Sequence, residues 1–235
     1  MQASDFLAEL SRLTTGFTPV VDPIYGAEVY RFLDLSTSNT IIDSVDTSSA
    51  EAIAIYIDTY LSKTGGKVAY GGYLEKRSIY DRSLYFGTQE IQLKRNIHLG
   101  IDIWCPSGTA VLAPVKGKMH SFKDNKNHGD YGPCIVLEHA IKGDSFFTLY
   151  GHLSRASISK LEIGQEFDAG EIIAHLGKPE ENGDYAPHLH FQIIKDLQQN
   201  EGDYPGVSSA GNLSFYKENC PDPDIVLKIG SKVKG

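Results

Sequence analysis

The sequence predicts a mainly β protein, an antiparallel β-sheet or sandwich hybrid preceded by an N-terminal α+β extension. Three observations point there. From about residue 67 the chain runs in short β-rich pieces broken by Gly, Pro, Asn and Asp: IDIW, AVLAPV, CIVLEH, FFTLYGHL, EIIAHLG and HLHFQII. Before that point the clearest periodicities are helical. A content of 41% apolar residues in 235 supplies one large core with an appendage.

Taken in order, Ser4 is placed to cap a short helix carrying Phe6, Leu10 and Leu13, which ends before Gly16 and Pro19. VYRFLDL and NTIID read as short strands. Ser48 and Glu51 form a capping box for a better helix, with Ile53, Tyr56, Ile57, Tyr60 and Leu61 on one face and Gly65-Gly66 as its stop. The expected division is residues 1–75 as an α+β extension of unassigned role and 76–235 as the β domain. Within the latter, 198–223 reads as a long polar loop that wraps the sheet edge before a last strand, IVLKI.

The net charge of -8 disfavours nucleic acid and anionic membrane surfaces as partners. Residues 1–90 hold 7 basic and 12 acidic side chains and residues 91–235 hold 15 and 18, so neither half concentrates positive charge. No apolar run approaches the roughly 20 residues of a membrane span. The start, MQASDFLAELSRL, puts acidic residues into a helical pattern where a secretory signal needs an apolar stretch, so the expected location is cytoplasmic, or extracytoplasmic if a leader has been trimmed from the sequence. Cys105, Cys134 and Cys220 are odd in number and form no Cys-x-x-Cys, which suits buried, reduced thiols.

Three segments set ligand-type side chains among strongly apolar neighbours: NIHLGIDI, LYGHL and APHLHFQI. Strand alternation in the first puts His98, Gly100 and Asp102 on one face and Ile97, Leu99, Ile101 and Ile103 on the other. The glycine leaves room between imidazole and carboxylate. The same parity puts His188 and His190 together while Leu189 and Phe191 face inward. Two histidines and one carboxylate make a hydrolytic zinc set with a fourth position open for water. His98, Asp102 and one of His188 or His190 complete that set, and the remaining imidazoles are left for the substrate. No His-Glu-x-x-His occurs, so the base falls to histidine. His120, His128, His139 and His175 read as ordinary structural or surface side chains. By parity Tyr150 shares the face of His152, and Trp104 continues the face of His98 and Asp102; Tyr70, Tyr73, Tyr80 and Tyr85 are candidates to line the cleft.

HLGIDIWCPSGTAVLAPVKGKM, YGPCIVLEH, TLYGHLS, IGQEFDAGEIIAHLGKP and APHLHFQI, in that order over roughly residues 95–195, resemble the lysostaphin-type, or LytM-type, zinc metallopeptidases that cut peptidoglycan cross-bridges. The resemblance implies the duplicated hybrid β motif of that family. It implies one zinc per chain on His98, Asp102 and His190, with His152 and His188 as catalytic histidines flanking the metal-bound water, one as base and one stabilising the oxyanion. The implied substrate is a small-residue peptide or a peptidoglycan-derived bridge. Departures from the family pattern are Ala186-Pro187 before the His-x-His and Gly132-Pro133 in the middle strand pair.

Two other readings are weaker. A lipoyl-type carrier would modify Lys116 or Lys118 and leaves the histidines unexplained. A degenerate, non-catalytic LytM-like binding or regulatory module is the alternative, and all five expected positions are filled against it. Residues 1–75 are the candidate for association with other domains or chains.

Overall fold

Alternation in Ile101–Trp104 and His188–Ile194 sets the architecture, because each strand sends one row of side chains into a core and the other toward a cleft. The computed structural model describes residues 3–82 and 93–230. The N-terminal region contributes α1 (Ala3–Arg12), β1 (Tyr30–Phe32), α2 (Ala50–Thr64) and β2 (Val68–Gly71). There follow β3 (Arg95–His98), β4 (Ile101–Trp104), β5 (Ala110–Leu112), β6 (Gly117–Asn125), β7 (Gly132–Ile141) and β8 (Asp144–Gly151). The chain continues through α3 (Arg155–Ile158), β9 (Glu166–Phe167), β10 (Ile172–His175) and β11 (His188–Ile194). It closes with β12 (Val207–Ser209), α4 (Leu213–Asn219) and α5 (Asp224–Leu227).

Eight strands form one sheet in the order β1-β2-β4-β11-β8-β7-β6-β9, and two ribbons, β5 with β10 and β3 with β12, lie outside it. Mainly β is thus the fold, and the extension shares its sheet. Every pair in the large sheet is antiparallel except β1 with β2. That parallel pair departs from the all-antiparallel expectation for a topological reason: α2 lies between the two strands and supplies the crossover that parallel pairing requires. One face of the sheet buries Ile101, Ile103, Ile135, Leu137, Leu189, Phe191 and Ile193 with Phe6 and Leu10 of α1. A smaller core joins Leu33, Leu35, Ile53, Ile57 and Leu61 to Trp104 and Ala186.

Several local expectations need correction. NTIID contains a 3-10 turn over Ile42–Ser44 rather than a strand, since the Asn39 side chain accepts from the Ile41 N–H and competes with extension. IVLKI begins as the helical turn α5, started by Pro223 and closed by Asp224 Oδ1 accepting from the Ile229 N–H. The cap of α2 is Ser49, whose Oγ accepts from the Ala52 N–H, while Ser48 donates to Asp46. The stop at Gly65 is as expected, with φ of 63°. Helix α1 already begins at Ala3, so Ser4 lies within its first turn. The 198–223 stretch is not a plain loop: it holds β12 and α4. All three cysteines are buried and unpaired by disulfides, and burial pushes the Cys105 and Cys220 thiols up to about 12.

Candidate metal centre and active site

Register across four strands builds the floor of the cleft. Gly71 of β2 pairs with Asp102 of β4, Asp102 with His190 of β11, and His190 with Gly151 of β8, so these four lie in one row. The neighbouring row is Ala69, Trp104 and His188. His98 arrives differently. NIHLGIDI is two strands rather than one, and β3 leaves the main sheet to pair with β12 before Leu99-Gly100 turns the chain into β4. Gly100 does make room, and its role is to admit a ring: a Cβ there would lie 2.8 Å from His190 Cε1 and Nε2 and 2.6 Å from the Phe191 carbonyl.

His98, Asp102 and His190 each offer one ligand atom, all within 4.8 Å of one another and all buried. Asp102 Oδ1 is 3.2 Å from both His98 Nε2 and His190 Nδ1, and those two nitrogens are 2.8 Å apart. The hydrogen-bond inventory shows what these atoms carry. His98 Nδ1 donates to the Gly72 carbonyl at 2.9 Å, which leaves Nε2 as a lone pair. The Gln192 amide nitrogen donates to the Pro205 carbonyl, which turns its oxygen toward His190 Nε2 at 2.9 Å and makes that nitrogen the donor. The Tyr131 hydroxyl, 3.5 Å from the same nitrogen, spends its proton on the Tyr204 carbonyl. His190 Nδ1 is therefore a lone pair as well. Two lone pairs at 2.8 Å beside a carboxylate oxygen repel unless a cation lies among them, and this nitrogen-oxygen donor set suits zinc.

Electrostatics agree. Burial pushes the His98 imidazole down to about 3 against the pull of Asp102, so it is neutral at pH 7. Burial alone would raise the Asp102 carboxyl, yet the charge of the Arg77 guanidinium bonded to its Oδ2 holds it well below the carboxylate range. Arg77 is the residue that sequence reasoning missed. It is 3% exposed, its Nη1 donates to Asp102 Oδ2 at 2.5 Å, its Nε donates to Glu75 at 2.5 Å, and its guanidinium sits 5.7 Å over the Trp104 ring. With Oδ2 committed to Arg77, Asp102 has Oδ1 left for the centre. Gly72, at φ of 104°, gives the guanidinium its space, since a Cβ there would meet Nη2 at 1.9 Å. A lone Arg amid polar residues carries no local signal of this contact; the flanking Gly71-Gly72 pair was the trace it left.

His152 and His188 flank the cluster. His188 Nδ1 donates to the Ala186 carbonyl at 2.7 Å and its ring stacks on Trp104 at 5.8 Å. Its Nε2 is 3.8 Å from Asp102 Oδ1. His152 Nδ1 donates to the Asn182 carbonyl at 2.7 Å, and the two rings are 4.2 Å apart. Burial, then His188, holds His152 well below the usual imidazole range, and burial lowers His188 too. Both Nε2 atoms are thus lone pairs facing the cleft. His152 takes φ of 64° just past the end of β8, a left-handed conformation that costs energy in a non-glycine residue and recurs at functional sites. That turn is why strand parity fails there: Tyr150 is fully buried against Phe191 on the core side and does not share the cleft.

The structure therefore brings all five sequence-predicted site residues to one cleft, lined also by Trp104, Tyr80 and Tyr131. Tyr70 belongs to the core, Tyr73 donates to the Cys220 carbonyl, and Tyr85 lies outside the described residues. His139 is a buried structural histidine donating to the Lys116 carbonyl, far from the site in its contacts. Lys116 and Lys118 are engaged with surface carboxylates. Among the described residues no helix is long and apolar enough to cross a membrane.

Residues 96–202 match peptidase family M23. Among solved structures the chain is similar to a catalytic-domain variant of the prophage-encoded M23 protein EnpA from Enterococcus faecalis, at 21% identity and a TM-score of 0.41, covering 57% of this chain and 85% of that one. It is similar to the catalytic domain of the antimicrobial peptidase lysostaphin from Staphylococcus simulans, at 25% identity and a TM-score of 0.37, covering 63% and 88%. A zinc-containing peptidase from Vibrio cholerae aligns at 27% identity and a TM-score of 0.34, over 46% of this chain and 30% of that one. No curated protein matches the chain.

Proposed function

We propose that this chain, whose residues 96–202 match peptidase family M23, is a zinc-dependent endopeptidase with one zinc per chain on His98 Nε2, Asp102 Oδ1 and His190 Nδ1. The observation that carries the reading is the convergence of two imidazole lone pairs and one carboxylate oxygen within 4.8 Å, each ring fixed by a hydrogen bond from its other nitrogen. Zinc held there supplies Lewis acidity toward a peptide carbonyl and lowers the pKa of bound water to about 7.

The chain's own groups do the rest. His152 and His188 present neutral Nε2 atoms, and one accepts the proton that the attacking water gives up. With rings 4.2 Å apart in a buried site, a single proton is shared by the pair. The protonated Nε2 donates to the developing oxyanion and then delivers its proton to the leaving amine. The carbonyls of Asn182 and Ala186 hold each ring in the tautomer that this requires. The bond cut is a peptide bond in a small-residue peptide of the peptidoglycan cross-bridge type.

Elemental analysis beside peptide turnover tests the reading. Wild type is expected to hold one zinc per chain. His98→Ala and His190→Ala lose it, whereas His152→Ala and His188→Ala keep the metal and lose roughly 100-fold or more of kcat. Full activity in the last two variants sinks the assignment.

A further inference from the structure

We propose that residues 1–82 complete the enzyme's substrate site by building an apolar side-chain subsite from Leu35, Ile53 and Ile79 against Trp104 and Ala186. It takes a branched or aromatic side chain adjacent to the bond that is cut. The inference rests on the histidine cluster being the reactive centre and deepens that reading. It also departs from the small-residue expectation on one side of the scissile bond.

Five residues from five separate stretches meet there. Leu35 follows β1, Ile53 lies on the buried face of α2, and Ile79 opens the 3-10 turn Ile79–Arg82. Leu35, Ile53, Trp104 and Ala186 belong to one apolar cluster, Ile79 packs against it, and all five line the same cleft as the histidines. The cluster is continuous with the reactive centre. Trp104 stacks on His188, whose Nε2 reaches within 3.8 Å of Asp102, so a side chain resting on this wall belongs to a residue whose backbone carbonyl or amide is at the centre.

The cleft lining is mixed in chemistry. Besides the apolar wall it includes Asp130, Asn200 and Asp203, next to Tyr131, Tyr204 and Val207. Those polar groups suit a solvated peptide backbone. Hydrocarbon from this wall suits a hydrocarbon side chain. The wall also gives residues 1–82 a function that their own core does not demand. Ile57 and Leu61 of α2 serve packing alone, whereas Ile53, one turn earlier on the same face, reaches the cleft.

The sole tryptophan of the chain lies in this wall, so Trp104 emission reads occupancy whether or not a bond is cut. The full chain is titrated with capped peptides Gly-Gly-X-Gly-Gly in which X is Gly, Ala, Leu or Phe, and cleavage is followed by mass spectrometry. The Leu and Phe peptides are expected to bind roughly ten-fold or more tighter than the Gly peptide. Cleavage falls beside X. Ile53→Ser abolishes the preference with zinc content unchanged, and Ile79→Ser, at a half-buried position, does the same should the first variant fold poorly. Equal binding of all four peptides, no saturable change with Leu or Phe, or a preference that survives both variants overturns the subsite. Cleavage without preference removes the subsite and leaves the peptidase reading standing; preference without zinc or cleavage supports the subsite and removes the peptidase reading.

Discussion

The histidine floor of the cleft and the wall supplied by residues 1–82 are held by different forces. On the floor, five buried polar side chains are fixed by single hydrogen bonds to the carbonyls of Gly72, Ala186 and Asn182, to Gln192, and to Arg77. The wall is held by aliphatic packing of α2 and the segment after β1 onto Trp104. A hydrogen-bonded floor is sensitive to displacement and charge, while an apolar wall is sensitive to volume. The difference teaches that chemistry and selectivity can fail separately in this chain. Losses on the floor should appear as lost metal and turnover, and losses on the wall as graded changes in stability and preference.

Acid is the broadest way to break the floor. In the metal-free protein His98 titrates at about 3 when folded, against about 6.5 when unfolded, so the unfolded chain binds the extra proton first. Stability is full above about pH 6.5 and falls as pH drops toward 3. Asp102 has the same sign: its depressed pKa contributes stability above the ordinary carboxylate range that is lost on further acidification. The unfolding free energy of apo protein from denaturant titrations should fall by roughly 3 kcal/mol between pH 7 and 4 from His98 alone. A flat profile would mean that His98 is solvated. Saturating zinc should move the loss to lower pH, because the metal competes with protons for the same lone pairs.

Arg77→Met is the sharpest single change. It removes the shared donor of Asp102 and Glu75 and leaves two carboxylates buried without it, which costs about 3–5 kcal/mol. Zinc affinity should fall about 10–100-fold as Asp102 loses its orientation. Arg77→Lys keeps the charge and cannot span both carboxylates, so it should recover part of the stability and little of the affinity. Urea denaturation and a chelator-competition titration separate the two effects. Affinity unchanged in Arg77→Met would show that the floor holds Asp102 without this arginine.

Much of the floor was legible in the sequence because a strand's period of two fixes which side chains share a face. Asp102 with Trp104, and His188 with His190, follow from that rule. His152 does not, since its left-handed turn breaks the period after Gly151. Arg77 does not either, because its partner Asp102 is 25 residues away and no pattern within the segment records the contact. For the wall, the buried face of α2 was readable from Ile53, Ile57 and Leu61, and its destination was not. Where an amphipathic helix docks is decided by long-range packing, and here by a β1–α2–β2 crossover that joins the extension to the main sheet.

The smallest expected effect tests how the wall is fastened. Ser49 caps α2 by accepting from the Ala52 N–H at 3.2 Å, and Ser48, one residue earlier, bonds Asp46 on the exposed surface. Ser49→Ala should cost about 1 kcal/mol, the usual value of a lost N-cap. Ser48→Ala should stay within about 0.5 kcal/mol. Because α2 carries Ile53 into the cleft, fraying of its first turn should weaken binding of the leucyl peptide relative to the glycyl peptide while zinc stoichiometry stays at one. Thermal denaturation of the two variants side by side reads the first effect, and Trp104 emission reads the second. If Ser48→Ala is the costlier, the helix is capped where the pattern of Ser48 and Glu51 places it; if only Ser49 matters, the first turn is held by the bond to Ala52.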